Sequence, residues 1–215
     1  NIDAVFAQSE MDAIRLAQLG AKNIEVIGNI KMANEIVCEY RYHKPNDYLI
    51  VAGSTHEGEE ELILKAYAQY GRGKLVIVPR HPERFVKVVK VVEAFAKEEQ
   101  KSFHTFSQRA DFESDIIVVD MMGELIEMYA IADVVILAGS LVPNIGGHNP
   151  LEPTALGCKI ISGREVYNQK SLLEGIEHII YSDSDKLYEA LLDAEVSPNA
   201  EIKNSVDFDE VMKKV

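Results

Sequence analysis

Short apolar runs recur along the chain, separated by stretches whose apolar residues return at helical spacing. Runs rich in Val and Ile, bounded by Gly, Pro or charge, suit strands buried on both faces. They predict strands at Val5–Ala7, Ile24–Ile27, Tyr48–Ala52, Leu75–Val78, Ile116–Val119, Val134–Ala138, Lys159–Ile161 and His178–Tyr181, with a further short one at Phe103–Thr105. The stretches between them predict helices over Met11–Leu19, Glu57–Tyr70, Glu83–Lys97, Leu125–Ala132 and Lys186–Leu192. Gly20 and Gly71 follow the first two as helix stops, and Phe85, Val88, Val89, Val92 and Phe95 mark one apolar face of the third. This alternation is the rhythm of an α/β fold with a doubly wound, Rossmann-like parallel sheet.

The rhythm lapses between Met32 and Asp47, where Arg41–Asp47 is polar around Pro45. Residues 1–33 then form a β-α-β too small for a domain, expected as the tail of a preceding domain with its interdomain segment. Residues 34–47 form a linker, and 48–215 hold one doubly wound domain. The chain opens on Asn, and Ile2–Ala7 reads as a strand rather than a basic leader, so a piece of a longer protein is expected.

Composition narrows the partners. With 22 Lys+Arg against 35 Asp+Glu, the net charge of −13 repels nucleic-acid backbones and anionic lipid surfaces. One small nucleotide remains acceptable, because a few N–H groups and a single Arg decide that contact. No apolar run approaches the roughly 20 residues of a membrane-crossing helix. Cys38 and Cys158 read as reduced thiols of a cytosolic protein.

Ligands of open parallel sheets bind beyond the strands' carboxyl ends, and four such loops carry unusual residues. In the first, Gly53–Glu60, Ser54 and Glu57 have the form of a capping box and the acids suit a helix N-terminus, which leaves His56 unexplained; a metal reading lacks a second His at helical spacing. In the second, Pro82 fits the first helical position with His81 at the cap, while Arg80 either meets a phosphate or pairs with a nearby carboxylate. In the third, Gly123 lets a ligand approach the backbone, and a neighbouring Met can pack on a flat base. In the fourth, a glycine-rich loop runs into Asn149, Pro150 and Glu152, which read as N-cap, first helical residue and capping-box acid. Such a loop is a cradle for an anion, with neither Walker nor dinucleotide glycine spacing.

In order, GSTHEGEEE, VPRHPERF, MMGEL, AGSL and GGHNPLEP resemble the carboxy-terminal half of the 3-deoxy-D-manno-octulosonic acid (Kdo) transferases; AQSEMDAIRLAQLGA and IGNIK resemble the segment joining that family's halves. The resemblance implies the carboxy-terminal, donor-binding domain of a GT-B glycosyltransferase that moves Kdo from CMP-Kdo to a lipid A precursor in lipopolysaccharide synthesis, without a metal or other cofactor. It carries the CMP contacts onto Pro79, Arg80, Met122, Gly123, Glu124, Asn149, Pro150, Leu151 and Glu152, with Ser54, His56, His81 and His148 as further donor-site positions. Arg80 and the Asn149–Leu151 backbone would take the phosphate, Glu152 the ribose hydroxyls, and Gly123 with its neighbours the cytosine. The family's general base, acceptor site and membrane-associating segment belong to an amino-terminal half, so this fragment is expected to be soluble and inactive alone, and the full protein to work at the cytoplasmic face of the bacterial inner membrane. A UDP-sugar transferase or epimerase of the same architecture, or a non-catalytic nucleotide-binding module, is the alternative. A hydrolase built on Ser54 or Ser140 lacks a G-x-S-x-G elbow.

Overall fold

The structure, a computed structural model, describes residues 2, 4–29 and 36–203. The end of the IGNIK motif, the first residues of the expected linker and the last twelve residues lie outside them. The chain divides into two compact units, Asn1–Glu35 with Ile202–Val215, and Ile36–Glu201.

In the first unit, β1 (Val5–Ala7) and β2 (Ile24–Val26) pair in parallel, joined by α1 (Glu10–Gln18). Ser9 starts α1 by accepting the Asp12 N–H at 3.2 Å. Gly20, at φ 92°, ends it by letting the chain turn left-handed.

The second unit is a seven-stranded, wholly parallel sheet. Its strands are β3 (Leu49–Thr55), β4 (Lys74–Pro79), β5 (Phe103–Thr105), β6 (Ile116–Val118), β7 (Val134–Leu137), β8 (Lys159–Ser162) and, after a two-residue β9 (Ile176–Glu177), β10 (Ile179–Tyr181). Around them lie α2 (Glu59–Tyr70), α3 (Phe85–Glu98), α4 (Leu125–Ile131), α5 (Leu151–Ala155), α6 (Lys170–Leu173) and α7 (Leu187–Val196). The order is β10-β8-β7-β3-β4-β6-β5, the doubly wound arrangement expected from the sequence.

Period-two alternation explains the two-sided core. Ile50, Ala52, Leu75, Ile77, Ile116, Val118, Val134 and Ile136 join one buried cluster with Ile63, Leu64 and Tyr67 of α2, Val88 and Val92 of α3, and Leu187 and Leu191 of α7. Their neighbours Leu49, Val51, Val76, Val78, Ile117 and Val135 join the other with Met128 and Tyr129 of α4. Each such side chain, fully buried, contributes about 1.5–3 kcal/mol, so the sheet's middle dominates the unit's stability. One close approach is needed: a Cβ at Gly53 would lie 2.0 Å from the Tyr129 hydroxyl oxygen.

Residues 36–47 belong to this unit by contact. The Glu39 and Arg41 N–H groups donate to the Glu127 carboxylate at 2.9 Å each, and Tyr42 packs edge-on against Phe106 with ring centroids 5.2 Å apart.

Candidate functional site

β3 is the first strand of the sheet in chain order and lies between β4 and β7, so strand order reverses on either side of it. The crevice at that reversal, beyond the carboxyl ends, is where open α/β sheets bind ligands. The loops leaving β3, β4 and β7 meet there.

β3 reaches it through an irregularity. Its register with β4 shifts between Gly53 and Thr55, and Ser54 between them is buried with φ 60°. A non-glycine residue in that region is uncommon and re-aims the strand end. The capping box expected of Ser54 and Glu57 does not form. α2 begins at Glu59, after left-handed Gly58, and Glu57 is exposed and paired with Lys87. Ser54 sits inside the strand, one turn too early to cap, because β3 runs on to Thr55.

The acids that follow are buried braces. Glu59 is fully buried, and its carboxylate accepts the Gly139 N–H at 2.7 and 2.8 Å, the Leu141 N–H at 3.1 Å and the His56 N–H at 2.9 Å. Burial pushes this carboxyl above the usual range, against the opposing pull of those N–H groups. Glu60, 2% exposed, accepts the Thr55 hydroxyl at 2.7 Å and both Arg84 guanidinium nitrogens at 2.8 and 2.9 Å. Arg84 also donates to the Thr55 carbonyl at 2.9 Å, and the Arg80 N–H reaches the same oxygen at 3.1 Å. Two carboxylates on one turn of α2 therefore tie down the loops after β3, β4 and β7.

The β4 loop runs as the sequence predicts: His81 is extended, Pro82 opens a short 3-10 turn at Pro82–Arg84, and α3 follows. Arg80 and His81 are exposed. The glycine-rich loop after β7 is pinched at its neck by the Gly147 N–H on the Gly139 carbonyl, 2.7 Å, and tied at its tip by Asn168, whose side chain donates to the Ile145 carbonyl at 2.9 Å. Gly139, Gly146 and Gly147 all have positive φ, which their lack of Cβ permits. It delivers His148 to His56: Nε2 to Nε2 is 2.7 Å, with ring centroids 4.9 Å apart and planes 9° from parallel, so the rings meet end to end. His81 meets His56 edge-on at 5.5 Å. Burial, with His56, Arg80 and His81 nearby, pushes His148 down to about 4; burial and His81 lower His56 as well.

α5 starts at Leu151 with Pro150 at its cap position, one residue later than expected; Asn149 still accepts the Leu151 N–H at 3.1 Å, and its amide donates to Glu152 at 3.2 Å. The Asn149–Glu152 link joins the two side chains, so this is a variant of the expected capping box. The loop before α4 differs in kind. Met121, Met122 and Gly123 are exposed, Gly123 has φ 85°, and a Cβ there would meet nothing within 4 Å. Glu124 is buried and already bonded, accepting Arg41 at 3.1 Å and the Tyr42 hydroxyl at 3.0 Å. Sequence reasoning missed the bracing by Glu59 and Glu60 because their partners Gly139, Leu141 and Arg84 are remote in the chain. Among the described residues, no three His, Cys, Asp or Glu side chains are placed to hold a metal ion, and no helix is long and apolar enough to cross a membrane.

No protein-family model matches the chain. It is 36% identical over 183 residues to the 3-deoxy-D-manno-octulosonic acid transferase of Haemophilus influenzae, covering 78% of this chain and 42% of that protein. It is 35% identical over 184 residues to the enzyme of that name from Aquifex aeolicus, covering 81% and 48%. The fold matches the solved C-terminal CMP-Kdo binding domain of WaaA from Acinetobacter baumannii with a TM-score of 0.60 at 28% identity, over 70% of this chain and 81% of that one. The chain thus spans less than half the length of these two curated relatives, and its doubly wound sheet is that of a GT-B carboxy-terminal domain. In sequence the chain is thus similar to 3-deoxy-D-manno-octulosonic acid transferases, and in fold to the CMP-Kdo binding domain of WaaA.

Proposed function

We propose that this chain is the donor-binding half of a Kdo transferase and holds CMP-Kdo over the β3/β7 switch point. The carrying observation is that the loops of Arg80 and His148 converge there, with the start of α5 next in the chain. Arg80, exposed at the end of β4, is free to swing onto a phosphate with a bidentate fork. The Asn149–Leu151 turn supplies the second phosphate contact; Pro150 has no N–H, so the donors are the Asn149 N–H and the Leu151 N–H, the latter exchanging its bond to the Asn149 side chain for the phosphate. Glu152 receives the ribose hydroxyls. Pro79 shapes the Arg80 turn, while Met122 and Gly123 offer an open, apolar seat for cytosine, with Glu124 at its edge. Charge developing on the departing CMP phosphate meets the same donors, which assist its loss electrostatically.

On this reading the acceptor, a lipid A precursor, and the general base are supplied by residues outside this chain. The whole protein then works at the cytoplasmic face of the bacterial inner membrane, and the fragment binds donor without completing transfer. Calorimetric titration tests the reading. CMP binds with a Kd in the micromolar to millimolar range, roughly −8 to −4 kcal/mol, more tightly than UMP or AMP and unaffected by EDTA. Equal affinity for the three nucleotides removes the base-selective site.

A further inference from the structure

His56, His81 and His148 come from three loops far apart in sequence and meet beside Arg80. At 2.7 Å only one proton fits between the two Nε2 atoms: one ring donates and the other presents its lone pair. We infer that His56 and His148 form a one-proton receptor for an oxyanion of the donor, taking up a proton as that anion arrives beside Arg80. This rests on the donor reading above and adds to it a second anion contact and a pH dependence.

The surroundings explain why proton and anion come together. From the β4 loop, Arg80, His81 and Arg84 face the pair; from α2, the facing acids are Glu59 and Glu60. Glu60 is spent on Arg84 and Thr55, and Glu59 on three backbone N–H groups. Arg80 is exposed, and its backbone N–H on the Thr55 carbonyl is the only hydrogen bond it makes among the described residues. Arg80 is thus the cation beside the pair that no carboxylate among them holds. Without an anion, a proton there is opposed by half-burial and by Arg80, in keeping with the depressed pKa values of both rings. An oxyanion reverses that balance: the protonated pair becomes an N–H⁺···N unit with a counterion, whereas a second proton would oppose two cationic rings whose nitrogens are 2.7 Å apart. CMP-Kdo carries two candidate oxyanions, its phosphate and its sugar carboxylate.

Isothermal calorimetry of the chain with CMP-Kdo at about pH 6, in two buffers of different ionisation enthalpy, reads the proton directly. We expect uptake approaching one proton per donor bound. The Kd should rise with pH, by up to about tenfold per unit, from about 4 to the raised pKa of the complex. The methyl ester of CMP, whose phosphate does not titrate there, separates the sources: uptake with it assigns the phosphate, and uptake with CMP-Kdo alone assigns the carboxylate. Uptake should vanish in the His56→Gln/His148→Gln double variant. Ring ¹⁵N shifts of the unaltered chain, titrated with CMP-Kdo, supply a readout that needs no variant. Binding of CMP-Kdo without proton uptake, or uptake unchanged in the double variant, overturns this inference and leaves the donor reading intact. No binding of CMP-Kdo anywhere from pH 5 to 8 overturns both.

Discussion

The loops beside β3 and the loop before α4 are built on opposite plans, although both carry residues assigned to the nucleotide. Beside β3, two buried glutamates clamp three loops, Glu59 through backbone N–H groups and Glu60 through the side chains of Thr55 and Arg84, so the shape of that region is set before any ligand arrives. Before α4, Met121, Met122 and Gly123 stand exposed between two tethers, Asp120 bonded to Ser107 and Glu124 bonded to Arg41 and Tyr42. The difference teaches that acidic residues near a nucleotide site divide into those that shape it and those free to touch the ligand. Glu59 and Glu60 are committed to the protein itself, while Glu152 is only partly buried, with one side-chain bond at 3.2 Å.

The strongest way to break the comparison is Glu59→Ala, which strands the N–H groups of Gly139, Leu141 and His56. Each orphaned donor costs about 1–3 kcal/mol, so the urea midpoint should fall by the equivalent of about 3 kcal/mol or more, and CMP binding should fail with the loop. An unchanged midpoint would show that the glutamate is no brace.

Acid should loosen the same region next. The His148 pKa in the fold, about 4, lies below its unfolded value of about 6.5. Its contribution to stability is therefore complete above pH 6.5 and is lost as pH falls towards 4. The slope reaches at most about 1.4 kcal/mol per pH unit for one group, and His56, shifted the same way, adds to it. Denaturation midpoints measured across this window should flatten in His148→Gln; an identical slope would remove the histidine from the account.

Glu152→Gln sharpens the contrast from the other side. A cap tolerates Gln, but ribose hydroxyls lose a charge-assisted acceptor worth about 1.5–3 kcal/mol. The midpoint should hold while CMP affinity drops about tenfold or more, and 2′-deoxy-CMP should lose part of its disadvantage. Unchanged affinity would return Glu152 to a structural role. The smallest effect is expected of Tyr42→Phe, which removes one hydrogen bond to Glu124: about 1 kcal/mol of stability, with CMP affinity changed less than about threefold. A larger loss of affinity would move Glu124 from tether to ligand contact.

Much of this was legible beforehand. Every strand over Val5–Tyr181 that the apolar runs predicted is present, because a fully buried parallel strand writes itself as a continuous Val/Ile run. The four-residue α6 and two-residue β9 escaped, being shorter than any periodicity can register. The helix start at Glu59 was misplaced because Ser54 and Glu57 match a capping pattern that the left-handed Ser54 backbone cannot honour. The His56–His148 pair joins residues 92 apart, and no local spacing announces it.

That separation has a consequence in time. β3 pairs on one side with β4, close behind it, but on the other with β7, and the Glu59 bond to Gly139 spans 80 residues. At roughly 5–20 residues per second, a ribosome needs about 4–16 s to bridge that interval. Throughout it, one edge of the sheet's wholly buried central strand waits unpaired, a template for stray strand addition. The central strand is thus born early and completed late, which makes the nascent chain most vulnerable to aggregation before its glycine-rich loop emerges.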